Sequence, residues 1–333
     1  MKQIVNYLLL ASLFVAGLTG LAACSSNDDD SPSPAPSGNL ETPKYESVSA
    51  KYTILSEESD IRSVELTESG NYVIVKRGYN DVKAAQAGAH GKSRLLQGLR
   101  AMTRSNEPDI IEGKYTKISD TEFNLEGFGT ITITGSANNA VSLVVTPKGG
   151  TAFTLQAART PQKSNSVLTT KLCRTWKISS IRIQMSFDGD ELMNSEHKIG
   201  ELNKFEDDYI DVVKKMFAKQ GRPLSAEEAE ALAHQIFGDG LFDEDFSPTQ
   251  VIFTKAGSYM VQYKDGELAL STWAWIDEPK GIMHYSWNYE NFEDDMESGE
   301  VYVSFRGAQL AVRETYPEDE VVQDVTIYFD EVK

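Results

Sequence analysis

Histidine and cysteine are scarce in this chain, with four and two in 333 residues. His90, His197, His234 and His284 lie far apart and none opens a spaced ligand pair, so no zinc motif is present. Cys24 and Cys173 are the only cysteines, which excludes metal clusters built on several thiolates. Positive charge is also short: 32 Lys and Arg stand against 50 Asp and Glu, a formal net charge of −18. Nucleic acid is bound by clustered Lys and Arg, so it is excluded as a partner. Catalytic motifs are missing too. His284 and Ser286 share one face of a strand, but no nucleophile elbow and no orienting acid accompany them. Gly127-Phe128-Gly129 leads into the strand-like run Thr130 to Ile133, where a phosphate loop would lead into a helix, and reads instead as a bulge or barrel bend. Acidic residues recur in apparent loops, as at Asp188 to Glu191, Glu206 to Asp208 and Glu293 to Asp295, without the spacing of a calcium loop. No catalytic residue, metal ligand or cofactor is assigned.

What is present begins at the N-terminus. Lys2, an apolar stretch from Tyr7 to Ala23 and small residues before Cys24 read as a signal peptide over residues 1–23; the run, broken by Gly17 and Gly20, sits at the low end of what spans a bilayer. Residues 24–44 follow as a disordered tether rich in Ser, Pro and Asp. Its prolines lack backbone donors, and Ser31 to Gly38 holds no apolar side chain larger than alanine. In an extended polyproline-like state, residues 25–44 would reach on the order of 60 Å at about 3.1 Å per residue.

The remainder reads as mainly β, with short alternating strands and turn signals, in two tandem antiparallel modules at about 45–160 and 165–333. Val64 to Val75 and Val251 to Gln262 share one pattern, a hairpin whose glycine permits the turn and whose following Tyr packs across the strands. Each is followed by a second hairpin, Val141 to Ala157 and Val301 to Glu314, at separations of 77 and 50 residues. A basic, Gly- and Ala-rich insertion at 77–112 accounts for most of the difference and reads as a mobile loop. In the second module, residues 201–238 read as a helical hairpin: Phe205, Tyr209, Val212, Met216 and Phe217 recur at helical spacing, Gly221 supplies a stop, and Ser225 with Glu228 forms a capping box.

Leu21-Ala22-Ala23-Cys24 resembles the bacterial lipobox, whose cysteine is lipidated after cleavage, and Asp28-Asp29-Asp30 resembles the export signal of Bacteroidetes lipoproteins. This resemblance implies lipid on Cys24 and a place in the outer membrane facing the cell exterior; a plain solvated leash is the other reading of the three aspartates. Cys173 then has no disulfide partner and reads as a small buried hydrophobe. Leu172 to Ile178, Ser271 to Trp275 and His284 to Trp287 resemble the lipocalin-like domains of Bacteroidetes lipoproteins, although Arg174 stands where lipocalins carry a glycine. The resemblance implies a lipocalin-like barrel or curved sheet whose interior is either filled or holds a ligand cavity. Trp176, Trp273, Trp275 and Trp287 are the candidate ligand-binding residues, for a small apolar molecule or a glycan. The alternatives are a protein-interaction module with filled barrels, and a hydrolase whose carboxylates leave no trace in one sequence.

Overall fold

The computed structural model describes residues 33–77, 110–135, 140–237, 248–264, 266, 268–286, 299–318 and 321–332. The signal peptide, Cys24, Asp28 to Asp30, Trp287 and nearly all of the basic insertion lie outside them. Among the described residues no helix is long and apolar enough to cross a membrane.

The expected β architecture is there as two closed barrels. In the first, β1 (Ala50–Ile54), β2 (Ile61–Leu66), β3 (Asn71–Lys76), β4 (Ile110–Lys117), β5 (Glu122–Leu125), β6 (Gly129–Thr134), β7 (Ala140–Pro147) and β8 (Phe153–Arg159) run up and down in chain order. Pairing of Tyr52 with Arg159 and of Ile54 with Ala157 closes the ring. Alternate side chains point inward, as the two-residue period of a strand requires, so Val64, Leu66, Ile74, Phe123, Ile131, Leu143 and Leu155 form one core.

After α1 (Val167–Leu172), β9 (Thr175–Phe187) starts the second barrel and pairs along its length with the last strand, β17 (Val321–Glu331). On its other edge β9 serves two partners: β11 (Pro248–Phe253) at Thr175 to Lys177 and β10 (Asp190–Lys198) from Ser180 onward. The ring is completed by β12 (Ser258–Tyr263), β13 (Leu268–Asp277), β14 (Ile282–Ser286), β15 (Gly299–Arg306) and β16 (Gln309–Glu318). Arg174 does not prevent closure. The side of the barrel beside β10 is covered by α2 (Lys204–Lys219) and α3 (Ala226–Phe237), the predicted helical hairpin. Phe205, Tyr209, Val212, Val213 and Phe217 of α2 join the barrel core, and Tyr209 accepts a hydrogen bond from Gln323 of β17. Glu228 donates its backbone N–H to Ser225 Oγ while its carboxylate accepts from the Ser225 N–H, the reciprocal cap expected from sequence.

The matching hairpins occupy the same place, the second and third strands of each barrel ring. Gly70 and Gly257 adopt φ of +82° and +88°, where a side chain is strained. The turns are bonded alike: Gly70 N–H to Thr67 O and Gly257 N–H to Thr254 O, at 3.1 and 2.9 Å. In each barrel an aromatic residue on the next strand caps the turn carbonyl, Tyr115 OH on Thr67 O and Trp273 Nε1 on Thr254 O. The second pair of hairpins is not equivalent. β7 and β8 are the seventh and eighth strands of their ring, whereas β15 and β16 are the sixth and seventh, so that likeness is plain β alternation.

The expectation of a free tether to residue 44 needs correction from Ser33 onward. Phe305 N–H donates to Ser33 O, Gly38 lies against Ala308, and Leu40, 3 % exposed, is part of the second barrel's core. A single leucine among small and polar residues carries too little periodicity to announce this seat.

Candidate functional site

The mouth of the second barrel where β9 begins is where the structure places most of the sequence candidates. Trp176 is fully enclosed; its Nε1 donates to Leu172 O of α1 at 2.8 Å and its ring lies 6.0 Å from Phe305. Trp273, also at 0 % exposure, sets its ring edge-on to Phe253 and to Trp275, at 6.2 and 5.4 Å. Trp275 is half-buried and donates to Thr169 Oγ1 at 2.8 Å. Every described indole N–H is therefore spent on the protein itself, as buried indoles require. Thr169, Ser166 and Ser164 in turn donate to the carboxylate of Glu278, which ties the connection between the barrels to the turn after β13. Arg174, 2 % exposed, pairs with Glu331 and donates to Glu41 O, so the position that departs from the lipocalin pattern fastens the tether instead.

Beneath this lid the second barrel retains a cavity of about 20 Å³, lined by Val251, Phe253, Tyr259, Met283, Tyr285, Val301, Val312 and Phe329. That is space for about one water, and neither Trp176 nor Trp273 lines it. Cys173 is buried in the same core, as expected of a small hydrophobe, and burial pushes its thiol well up.

A second feature, not foreseen, lies between the barrels. Val73 and Val75 on the outside of β3 pack against Ile252, Met260 and Leu270 on the outside of β11 to β13. Beside this apolar contact the two equivalent hairpin turns meet. Glu68 accepts from Ser49 Oγ at 3.0 Å and from the Lys255 backbone N–H at 3.1 Å, and Glu65 accepts from Ser258 Oγ at 2.7 Å. Lys255 Nζ pairs with Glu46, and Thr175 N–H donates to Ser69 Oγ at 2.8 Å. Both glutamates are 2 % exposed, and Glu65 Oε1 and Glu68 Oε2 have no hydrogen-bond partner. They line a cavity of about 10 Å³ together with Arg159, Gln162 and Lys255. Burial pushes the Glu68 carboxyl up to about 7, with the charge of Glu65 adding to the rise against the donors that favour ionisation. A signal existed in the repeat: Glu68 and Lys255 hold the same position in the two hairpins with opposite charge.

The remaining sequence candidates are not brought together. His197 bonds Asp208 at 2.6 Å and His234 faces Glu206 at 3.1 Å, both fastening α2. Gly129 stands where a Cβ would lie 2.1 Å from Thr146 O, a close approach of β6 to β7 and no phosphate cradle. Among the described residues no three His, Cys, Asp or Glu side chains are grouped to hold a metal.

No protein-family model matches the chain, and no curated protein matches it. Among solved structures, the vaccine antigen transferrin-binding protein B from Haemophilus parasuis, as a double mutant, aligns at 10 % identity and a TM-score of 0.19. The alignment covers 84 % of this chain and 63 % of that protein, so the chain spans less than two thirds of its length. A likeness this slight fixes neither family nor partner.

Proposed function

We propose that the chain is a lipoprotein, lipid-anchored through Cys24 in the outer membrane and facing the cell exterior, that binds other macromolecules on the outside of two filled barrels. The filled interior carries this reading. A drug-sized ligand site occupies several hundred Å³, whereas the cavity among the described residues of the second barrel holds about 20 Å³ and the described indole N–H groups are committed internally. Among the described residues this gives little support to the small apolar or glycan ligand expected from the tryptophans. Exposed apolar side chains stand on the outside, among them Val167 and Ile276, each close in sequence to a residue of the Glu278 knot.

Detergent phase partition and protease treatment of intact cells test the anchor. The wild-type chain is expected in the detergent phase and digestible from outside, and Cys24→Ala in the aqueous phase; equal partition of both would remove the lipid reading. A photo-crosslinking residue at Val167 tests the binding surface, with a discrete macromolecular adduct on intact cells as the expected product. Absence of an adduct, together with saturable binding of a small ligand, would return the function to the barrel interior.

A further inference from the structure

We infer that the second barrel, not the first, sits next to the membrane, with the β15–β16 turn as the membrane-facing edge and the lipid surface as its partner. This rests on lipid attachment at Cys24. The sequence order puts the first barrel next to the anchor, but the tether bypasses it. Ser33 O accepts from Phe305 N–H at the end of β15, Gly38 lies against Ala308 of the β15–β16 turn, and Leu40 enters the second barrel's core. Arg174 then holds Glu41 O at 2.9 Å, and the chain crosses to Tyr45, whose ring lies tilted 4.7 Å from that of Tyr115 in the first barrel.

Cys24 is nine peptide units from Ser33, and covalent geometry limits their separation to about 30 Å. That is half the reach of a tether free to residue 44. The position of the first barrel follows from strand order. It touches the second along the outer faces of β11 to β13, at Thr175 where β9 begins and at the β11–β12 turn, and around a ring of eight strands that turn lies four strands from the β15–β16 turn, on the opposite side of the same mouth. Exit toward the lipid and attachment of the first barrel are thus on opposite sides, which presents the first barrel away from the anchor.

The test uses the lipidated chain in phosphatidylcholine vesicles bearing an acceptor dye on the headgroups, with a donor dye at Val332→Cys, beside the mouth of the second barrel, or at Lys148→Cys, on the β7–β8 turn of the first. Energy transfer is expected to be greater from residue 332, and Leu40→Asp is expected to reduce that difference. Equal transfer from both sites, or a difference indifferent to Leu40→Asp, would overturn the orientation. Hydrogen exchange on unlipidated Cys24→Ala separates the two layers of the argument. Protection of residues 33–44, lost in Leu40→Asp while 253–263 stays protected, establishes the seat without the lipid, and its absence overturns the seat. Failure of the wild-type chain to stay on vesicles, with that protection intact, removes the lipid and the orientation with it.

Discussion

Trp273→Ala is expected to lower the stability of the second barrel by about 3–5 kcal/mol, the range for emptying a large aromatic site in a core. The indole is fully enclosed, touches Phe253 and Trp275 edge-on, and holds Thr254 O through its N–H. Removing it opens a void beside a core with little slack and leaves a turn carbonyl without its indole donor. Trp273→Phe separates these effects, because most of the ring volume stays while the indole hydrogen bond goes; with the Gly257 N–H still on Thr254 O, a loss of about 0.5–1.5 kcal/mol is expected from that bond. Tyr115→Phe is the matching change in the first barrel, where the hydroxyl holds Thr67 O at 2.9 Å. Denaturant midpoints followed by probes in each barrel would measure all three, since a two-barrel chain need not unfold in one step. A Trp273→Ala loss under 1 kcal/mol would mean that this side chain sits in a cavity already, as a ligand-site residue would.

Stability is expected to fall as pH rises from 5 to 8, through the carboxyl of Glu68. Its value of about 7 in the folded chain lies above the ordinary 4.5, so between the two the folded state holds a proton that the unfolded state has released. A raised carboxyl therefore contributes stability that is complete below the unfolded value and is lost as pH climbs through the folded one. The gap corresponds to about 3 kcal/mol at full ionisation. Glu68→Gln keeps an oxygen for Ser49 and for the Lys255 N–H while removing the charge, so it is expected to be more stable than wild type at pH 8, to be near it at pH 5, and to flatten the profile between. Urea unfolding across that range reads the difference. A wild-type profile already flat between pH 5 and 8 would show that Glu68 stays ionised in the joint.

Much of this architecture was legible. Strand alternation announced the β modules, and the pattern V-x-x-T-x-x-G-x-Y in two places identified hairpins that are equivalent, because the turn needs its glycine and the Tyr must pair across it. The capping box at Ser225 worked for the same local reason. What the sequence did not disclose is long-range. The tryptophans read as core or as ligand-lining, since both need aromatic residues at alternating positions, and the partners of the described N–H groups, Leu172, Thr254 and Thr169, are not written in that alternation. The Glu65 and Glu68 pair is invisible to periodicity, because strands carry outward glutamates routinely; here the outward face meets another barrel. The seat of Leu40 depends on residues at 174, 305 and 308, none near it in sequence.

The filled second barrel is tested most directly by tryptophan fluorescence of the Trp287→Phe variant, which leaves Trp176, Trp273 and Trp275 as reporters. Their emission is expected to be blue-shifted, poorly quenched by acrylamide, and unchanged on titration with panels of glycans and lipids. A saturable change on adding one of these ligands, with quenching altered in step, would place a small molecule inside the barrel and contradict the account.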